Sequence, residues 1–572
     1  KGDKYDESKI SQERERLTQI MKDNGYYDFT RQFIYFKVDT TIGKKQVDIE
    51  LNLANPPKAQ HEPYKIGKIY FNTDISELKN NIKQDTSFYR DIHFIYSNSY
   101  FSKKILSHKI KFKPGDYYNQ TKVQQSQRQL GSMDMYKFVN INFEKDSSNT
   151  LIAYIHTSPL KKFQITQEYG VNVGNAWLPG PFLNVSYKNR NFLSGFEVFE
   201  TSVRYSIDAQ PSITNDDKSL TNQEFGLNFS LTFPQLYFPT RLRYKFINYN
   251  PRTKLQLGYT LTDRPDYVRK NLRAALTYNF STTQYSQFLI SPIDVNIINS
   301  VKTEAFQAFL KNLEGRGSNL IRSFNPSIVT NFNATYIFNN NEIGKIKTSR
   351  FFKVSFEIGG NIVKLLDETF EGVNTENKYF GKQYYQYYKI NTDLRYYFPV
   401  KRKSVFAVRV NAGYARPYGN DSNLVLPYEK YFFAGGGNSI RGWKQRRLGP
   451  GIFKDSLNQY LYEQPGEIIF ENNYEYRFNI SGFFDGAVFL DAGNVWHNHD
   501  KSKAGAEFKY LNSIPDIALG TGVGLRLNFS FLILRFDFGY KLRDPSQPKG
   551  DRWVSEYKIK NTEINIGIGY PF

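Results

Sequence analysis

The stretch YFFAGGGNSIRGW, residues Tyr431 to Trp443, gathers three consecutive glycines, one fixed positive charge and a closing tryptophan. A guanidinium does not deprotonate in proteins, so the chemistry open to Arg441 is electrostatic: a bidentate grip on a carboxylate or phosphate. Further along, NNYEYRFNI carries Glu475 and AVFLDAGNVW carries Asp491 between apolar neighbours. Two such carboxylates could serve as a general acid–base pair or neutralise Arg441. The second use is preferred. An arginine on a loop tip is merely solvated, whereas one enclosed by protein needs acid partners. Gly435, Gly436 and Gly442 would let the loop turn tightly and approach a wall.

Other chemistry finds little support. The chain has no G-x-S-x-G, no Walker loop and no H-E-x-x-H. GTGVG imitates a nucleotide loop but lies in alternating strand sequence. His497 and His499 in WHNHD make only half a metal site. Cysteine is absent altogether, which removes thiolate ligands, cysteine nucleophiles and disulfides. The expectation is a protein that is not an enzyme, with no cofactor and no metal.

What elements would enclose Arg441? Aromatic residues make up 17% of the 572-residue chain, an excess suited to strands and to an interface. Mean hydropathy is −0.57, a value transmembrane β-barrels can share because only alternate residues face lipid. No run approaches the ~20 apolar residues of a membrane helix. The formal charge of +21 fits lysine-rich solvated loops or attraction to anionic lipid and lipopolysaccharide. No recognition helix or zinc finger supports nucleic acid.

After Pro159 the chain becomes a succession of alternating segments with Asn/Gly/Asp/Lys-rich connections. VFAVRVNAGYA puts Phe406, Val408, Val410, Ala412 and Tyr414 on one face. GTGVGLRLNFSF sets Val523, Leu525 and Leu527 opposite Gly524, Arg526 and Asn528, and LRFDFGYKL alternates as cleanly. The closing EINIGIGYPF groups Ile564, Ile566, Ile568, Tyr570 and Phe572 opposite Asn565 and glycines. Small or polar inside with apolar outside is how a lipid-facing barrel strand reads. The length from Phe163 onward has room for roughly 16 strands at about 25 residues each. Glu475 and Asp491 would then point into the lumen. TEAFQAFLKNLEGRG is the exception, a short amphipathic helix packing on the barrel rim.

The first 160 residues mix helix and strand. In ERERLTQIMKDNGYY, Leu17, Ile20 and Met21 share a helical face that Gly25 closes, and FIYFKVD and QVDIELNL follow as a strand pair. A second unit opens at YKIGKIYF, passes through a short helix carrying Val123, Leu130 and Met133, and closes on TLIAYIHTSP. This repeated grammar resembles the POTRA domain, a small periplasmic module whose exposed strand edge can add a partner's strand. The expected division is 1–60 as a partial POTRA-like domain, 61–160 as a membrane-proximal one, and 161–572 as the barrel with the RGW loop folded into its lumen. The fold class is therefore mainly β, a transmembrane antiparallel barrel preceded by α+β domains. The first copy lacks its opening strand, so further modules are expected before Lys1.

AGGGNSIRGW resembles the (V/I)RG(F/Y) signature of the Omp85 superfamily, which includes the BamA/TamA family and the two-partner secretion transporters. Ile440, Arg441, Gly442 and Trp443 match it, with tryptophan in place of the usual Phe or Tyr. The resemblance implies that the loop enters the lumen and that Arg441 meets Glu475 and Asp491. YKNRNFLSGFE, LTFPQLYFP and the terminal Phe572 are similar to the family as well. It further implies an outer-membrane assembly or translocation factor of a Gram-negative bacterium, its first and last strands parting to template a client. The candidate seam is Phe163–Gly174 against Glu563–Phe572, with Gly567, Gly569 and Pro571 weakening the last strand; equally, Pro571 marks a strand end. The style is most similar to TamA-like (TamL) lipoproteins of Bacteroidota. That implies a lipid-anchored cysteine upstream and a TamB-like periplasmic partner or client β-barrel proteins. A central BamA-type insertase, a two-partner secretion transporter and a passive porin are the alternatives.

Overall fold

The computed structural model describes residues 5–572 apart from 44–45, 58, 76–83, 98–100, 147–148, 174–178, 212–218, 238–249, 316–320, 322–323, 343–346, 371–377, 402, 420–424, 455–462, 499–502, 530 and 555–560. Contacts divide the chain into two compact units. One holds Lys1–Gln164 with Lys188–Phe199 and Thr232–Pro251, and the other holds the rest. By contacts, the stretch Lys188–Phe199 groups with the first unit, where Arg190 Nε donates to the Asp134 carbonyl at 2.7 Å.

In the first unit the helix Glu7–Asp23 starts where the Asp6 carboxylate accepts from Ser8 N–H, and ends at Asn24. Gly25 follows at φ +103°, a conformation side chains resist. Strands Ile34–Asp39 and Asp48–Leu53 pair antiparallel, Phe36 opposite Leu51. A separate five-stranded sheet runs in the order Asp85–Tyr89, Ile92–Tyr96, Lys65–Asn72, Thr150–Pro159, Tyr136–Asp146. The helices Lys103–Lys109 and Gln120–Gly131 accompany it. Ile66, Phe71, Phe94, Leu106, Leu130 and Ile155 are buried in its core. The hairpin 85–96 and the helix Lys103–Lys109 had no clear periodic signal in the sequence.

The second unit is an antiparallel sheet of 16 spanning strands, from Phe163–Val173 to Glu563–Ile568. A short hairpin, Lys378–Tyr379 with Lys382–Tyr384, decorates one connection. The strand order closes, the last strand lying beside the first. Alternation decides what faces where. In Ser404–Pro417, Ala407, Arg409 and Asn411 are buried while Phe406, Val408 and Val410 are partly exposed. In Phe484–Trp496, Phe489 and Asp491 are buried whereas Val488 and Leu490 are exposed. One rim has short turns, such as Lys401 to Ser404 and Ser481 to Phe484. The other carries the longest connections. Among these, the helix Glu304–Glu314 buries Phe306, Leu310 and Leu313 against Tyr267 and Phe324, as its sequence foretold. No described helix is long and apolar enough to cross a membrane.

Candidate functional site: the arginine loop and the barrel wall

The long connection between strands Ser404–Pro417 and Ile468–Ser481 brings Arg441 against the wall, where the side chain is 1% exposed. Its geometry starts in the glycines. Gly435 and Gly436 both have φ of +101°, which L side chains rarely adopt, and the Gly436 N–H donates to the Trp443 carbonyl at 2.9 Å, closing the turn. Gly442 and Gly539 allow the backbones to meet: a Cβ on Gly539 would overlap the Arg441 carbonyl, and one on Gly442 would press on the backbone of Tyr540.

Strands Ile468–Ser481 and Phe484–Trp496 pair so that Asn473 lies opposite Asp491, and both side chains point the same way. Asp491 receives Arg441 three times: Nε at 2.7 Å and the backbone N–H at 3.1 Å to Oδ2, and Nη2 at 2.8 Å to Oδ1. Nη1 donates to Glu475 and lies 3.6 Å from Asp537 Oδ2. The guanidinium also stacks 3.4 Å above the Phe489 ring. Burial alone would lower the Arg441 pKa; Asp491, Glu475 and Asp537 outweigh it and hold the pKa above the ordinary arginine value.

All eight wall and loop residues named in advance are therefore located. Arg441, Glu475 and Asp491 come together as one ion-paired cluster. Ile440 and Trp443 are buried beside it in the apolar cluster that also holds Ala518 and Val495, while Gly435, Gly436 and Gly442 shape the loop. Four further participants escaped the sequence reading. Glu475 is shared with Arg477 at 2.8 Å and Arg526 at 3.3 Å. Arg526 also pairs with Asp537 at 2.6 Å. Asn473 donates to the Ser439 carbonyl at 2.8 Å and to Asp491 at 2.9 Å. The signal for them was available: Arg526 and Asp537 sit on the polar side of quoted alternating segments. The histidine pair is half visible, since His497 is buried and His499 lies outside the described residues.

The terminal strand departs from the expected pattern in two ways. It ends at Ile568, so Ile564, Ile566 and Ile568 face outward as expected, but Tyr570, Pro571 and Phe572 lie beyond it. Pro571 thus removes no ladder donor; the chain has already turned at Gly569, φ +81°. Phe572 does not share the outer face of the isoleucines. It is buried with Tyr397 and Ala407 on the inner side, its carbonyl accepting from Arg477 Nη2 at 3.0 Å. The turn at Gly569 breaks the period-2 pattern on which that expectation rested. Gly174, the expected end of the first strand, lies outside the described residues. The loop meets the last strand directly: Asn565 Nδ2 donates to the Arg441 carbonyl at 3.1 Å.

A sixteen-stranded barrel with an inward arginine loop, preceded by small α+β modules, defines a class of outer-membrane protein. The family model for the Omp85 superfamily domain matches residues 181–572, and that for the POTRA-type surface antigen variable number repeat matches residues 88–157. The chain belongs to the Omp85 superfamily, and its place is the Gram-negative outer membrane with the POTRA module in the periplasm. The outer membrane protein assembly factor BamA of Neisseria meningitidis serogroup B is 28% identical over 130 residues, which is 22% of this chain and 16% of that relative's length. BamA from Haemophilus ducreyi lacking POTRA domains 1–3 has the same fold, with a TM-score of 0.52 at 15% identity over 99% of this chain and 94% of that one. CdiB from Acinetobacter baumannii gives a TM-score of 0.47 at 12% identity, covering 91% and 76%.

Proposed function

We propose that this chain is an outer-membrane assembly or translocation factor that works at the seam between its first and last strands. The observation that carries this reading is the contact from Arg441 to Asn565, which ties the lumen loop to the terminal strand. Two features support it. Among the described residues, the last strand pairs with its preceding neighbour over six positions, Glu563 to Ile568, although that neighbour, Ile533–Arg543, is longer. On the other side, residues Phe163 to Tyr169 of the first strand are exposed on both faces. Parting of these two strands would present their backbone groups to an incoming strand. The mechanism is then edge pairing and local thinning of the bilayer, with no bond chemistry.

Arg441 and its acids hold the loop against the wall, so that the loop steadies the seam from inside. Within this reading the chain is TamA-like, served by a TamB-like periplasmic protein, with outer-membrane lipids and lipopolysaccharide around it. The test uses the absence of native cysteine. A cysteine pair locking the first strand to the last should abolish insertion of a client β-barrel into proteoliposomes, and reductant should restore it. Unchanged insertion in the locked protein refutes the seam. Crosslinking in the native membrane then sorts the partner: a long periplasmic protein supports the TamA-like reading, and nascent barrels with small lipoproteins a central insertase.

A further inference from the structure

The helix Asn361–Phe370, sequence NIVKLLDETF, follows directly on the strand Ser349–Gly359 at the long-loop rim. Its ten residues sort into three arcs at about 100° per residue. Val363 and Asp367 are buried. Lys364, Glu368 and Asn361 form a polar arc, where Lys364 and Glu368 approach to 3.7 Å. Leu365, Thr369, Ile362, Leu366 and Phe370 span the third arc. There Ile362 is 44% exposed, Leu365 65%, Leu366 37% and Phe370 73%. The one hydroxyl on it, Thr369, donates to the Leu365 carbonyl at 2.6 Å and asks nothing of water. A water-facing arc would not be built this way.

The helix lies on the outside of the barrel. Ala334 is paired with Phe356, which faces outward at 41% exposure, so Thr330, four residues from Ala334, faces outward too. Yet Thr330 is buried, and the helix packs on that strand. Tyr384 donates to Asp367 at 2.9 Å beneath it. Its height is set by tyrosines. Tyr388 lies 5.9 Å from Tyr414 and 6.2 Å from Tyr418, ring to ring, on the outer surface. Towards the short-turn rim, Tyr396 and Phe398 begin a second aromatic group with Phe406. From Tyr388 to Phe398 a tilted strand climbs about 25 Å, the height of an outer-membrane apolar band between its girdles. The helix starts level with the upper girdle, for Tyr418 donates to the Asn361 side chain at 2.7 Å.

We propose that the helix Asn361–Phe370 is embedded in the outer leaflet, with Leu365, Ile362, Leu366 and Phe370 among the acyl chains and Lys364 and Glu368 in the headgroup water. The apolar arc continues the barrel's own lipid-facing surface around its upper edge, as interfacial amphipathic helices do.

The full chain, without native cysteine, is spin-labelled one site at a time as Leu365→Cys, Leu366→Cys and Glu368→Cys, and reconstituted in dimyristoylphosphatidylcholine vesicles. Heat-modifiable gel mobility verifies that each labelled barrel is folded. Power saturation should give oxygen-to-nickel accessibility ratios several-fold higher at 365 and 366 than at 368. Equal ratios at all three sites, with free access to the nickel chelate, place the arc in water and overturn the proposal. Immobile labels shielded from both quenchers mean that protein, a partner or a second copy, covers the arc, and overturn it equally.

Discussion

The five-stranded sheet unit and the barrel use the same alternation to opposite ends. In the sheet unit, Phe71, Phe94 and Ile155 point inward and are wholly buried, and burial of apolar surface holds the unit together. In the barrel, Val488, Val523 and Ile566 point outward and are exposed, while the buried side carries Arg441, Glu475, Asp491, Arg526 and Asp537. Where lipid solvates the outside, the inside is free to be polar, but each charge there must find a partner. One unit is specified by volume, the other by charge matching.

Arg441→Ala should expose that difference most. Removing one partner from a buried ion pair costs on the order of 3–5 kcal/mol, and here it takes from Asp491 the guanidinium that it pairs with. The folded barrel should lose its heat-modifiable band at a lower temperature and the loop should become protease-sensitive. Arg441→Lys should recover only part of this, since the bidentate grip is lost. A barrel unaltered by Arg441→Ala would mean that charge matching does not hold the loop.

Phe71→Ala makes the reciprocal cut. A cavity of that size costs about 3–5 kcal/mol, and denaturant titration should show the loss in the sheet unit while the barrel's heat-modifiable transition stays put. Gly539→Ala sharpens the contrast within the barrel: the added methyl meets the Arg441 carbonyl, and overpacking of this kind costs about 1–3 kcal/mol. Gly226→Ala, whose Cβ would find only ordinary contacts at 3.9 Å, should leave the same transition unchanged.

The smallest effect is one of pH. Burial lowers the Lys111 pKa from 10.5 to about 8. The folded sheet unit therefore binds fewer protons than the unfolded chain between those values, and its stability should rise as pH climbs through that window. Above pH 10 the buried Tyr118 hydroxyl, pushed up to about 12, opposes the trend. Lys111→Met should flatten the rise in denaturant midpoints between pH 8 and 10; an equally steep rise in the variant would assign it to other groups.

Much of this was legible because period-2 alternation needs only a strand and a lipid. Val408 against Arg409, or Val523 against Arg526, declares both faces at once, and Glu475 and Asp491 follow as inward acids. The full partnership did not follow. Asp537 and Arg526 stand on strands distant in sequence from Arg441, and nothing local says which strands curl round to meet. The helix Asn361–Phe370 was hidden for another reason: its apolar arc faces outward, so its ten residues read like one more stretch of barrel. Phe572 failed because a single glycine turn at Gly569 ends the rule that placed it.

The sharing of Glu475 by Arg441, Arg477 and Arg526 also bears on how such a protein can drift over generations. Losing one of the arginines leaves an acid that still has two companions. Losing the acid first leaves three cations crowded together with Asp491 and Asp537 to divide among them. Lineages that abandon this arrangement should therefore shed an arginine before the glutamate, and a sequence lacking an acid at this position should already lack at least one of the three arginines.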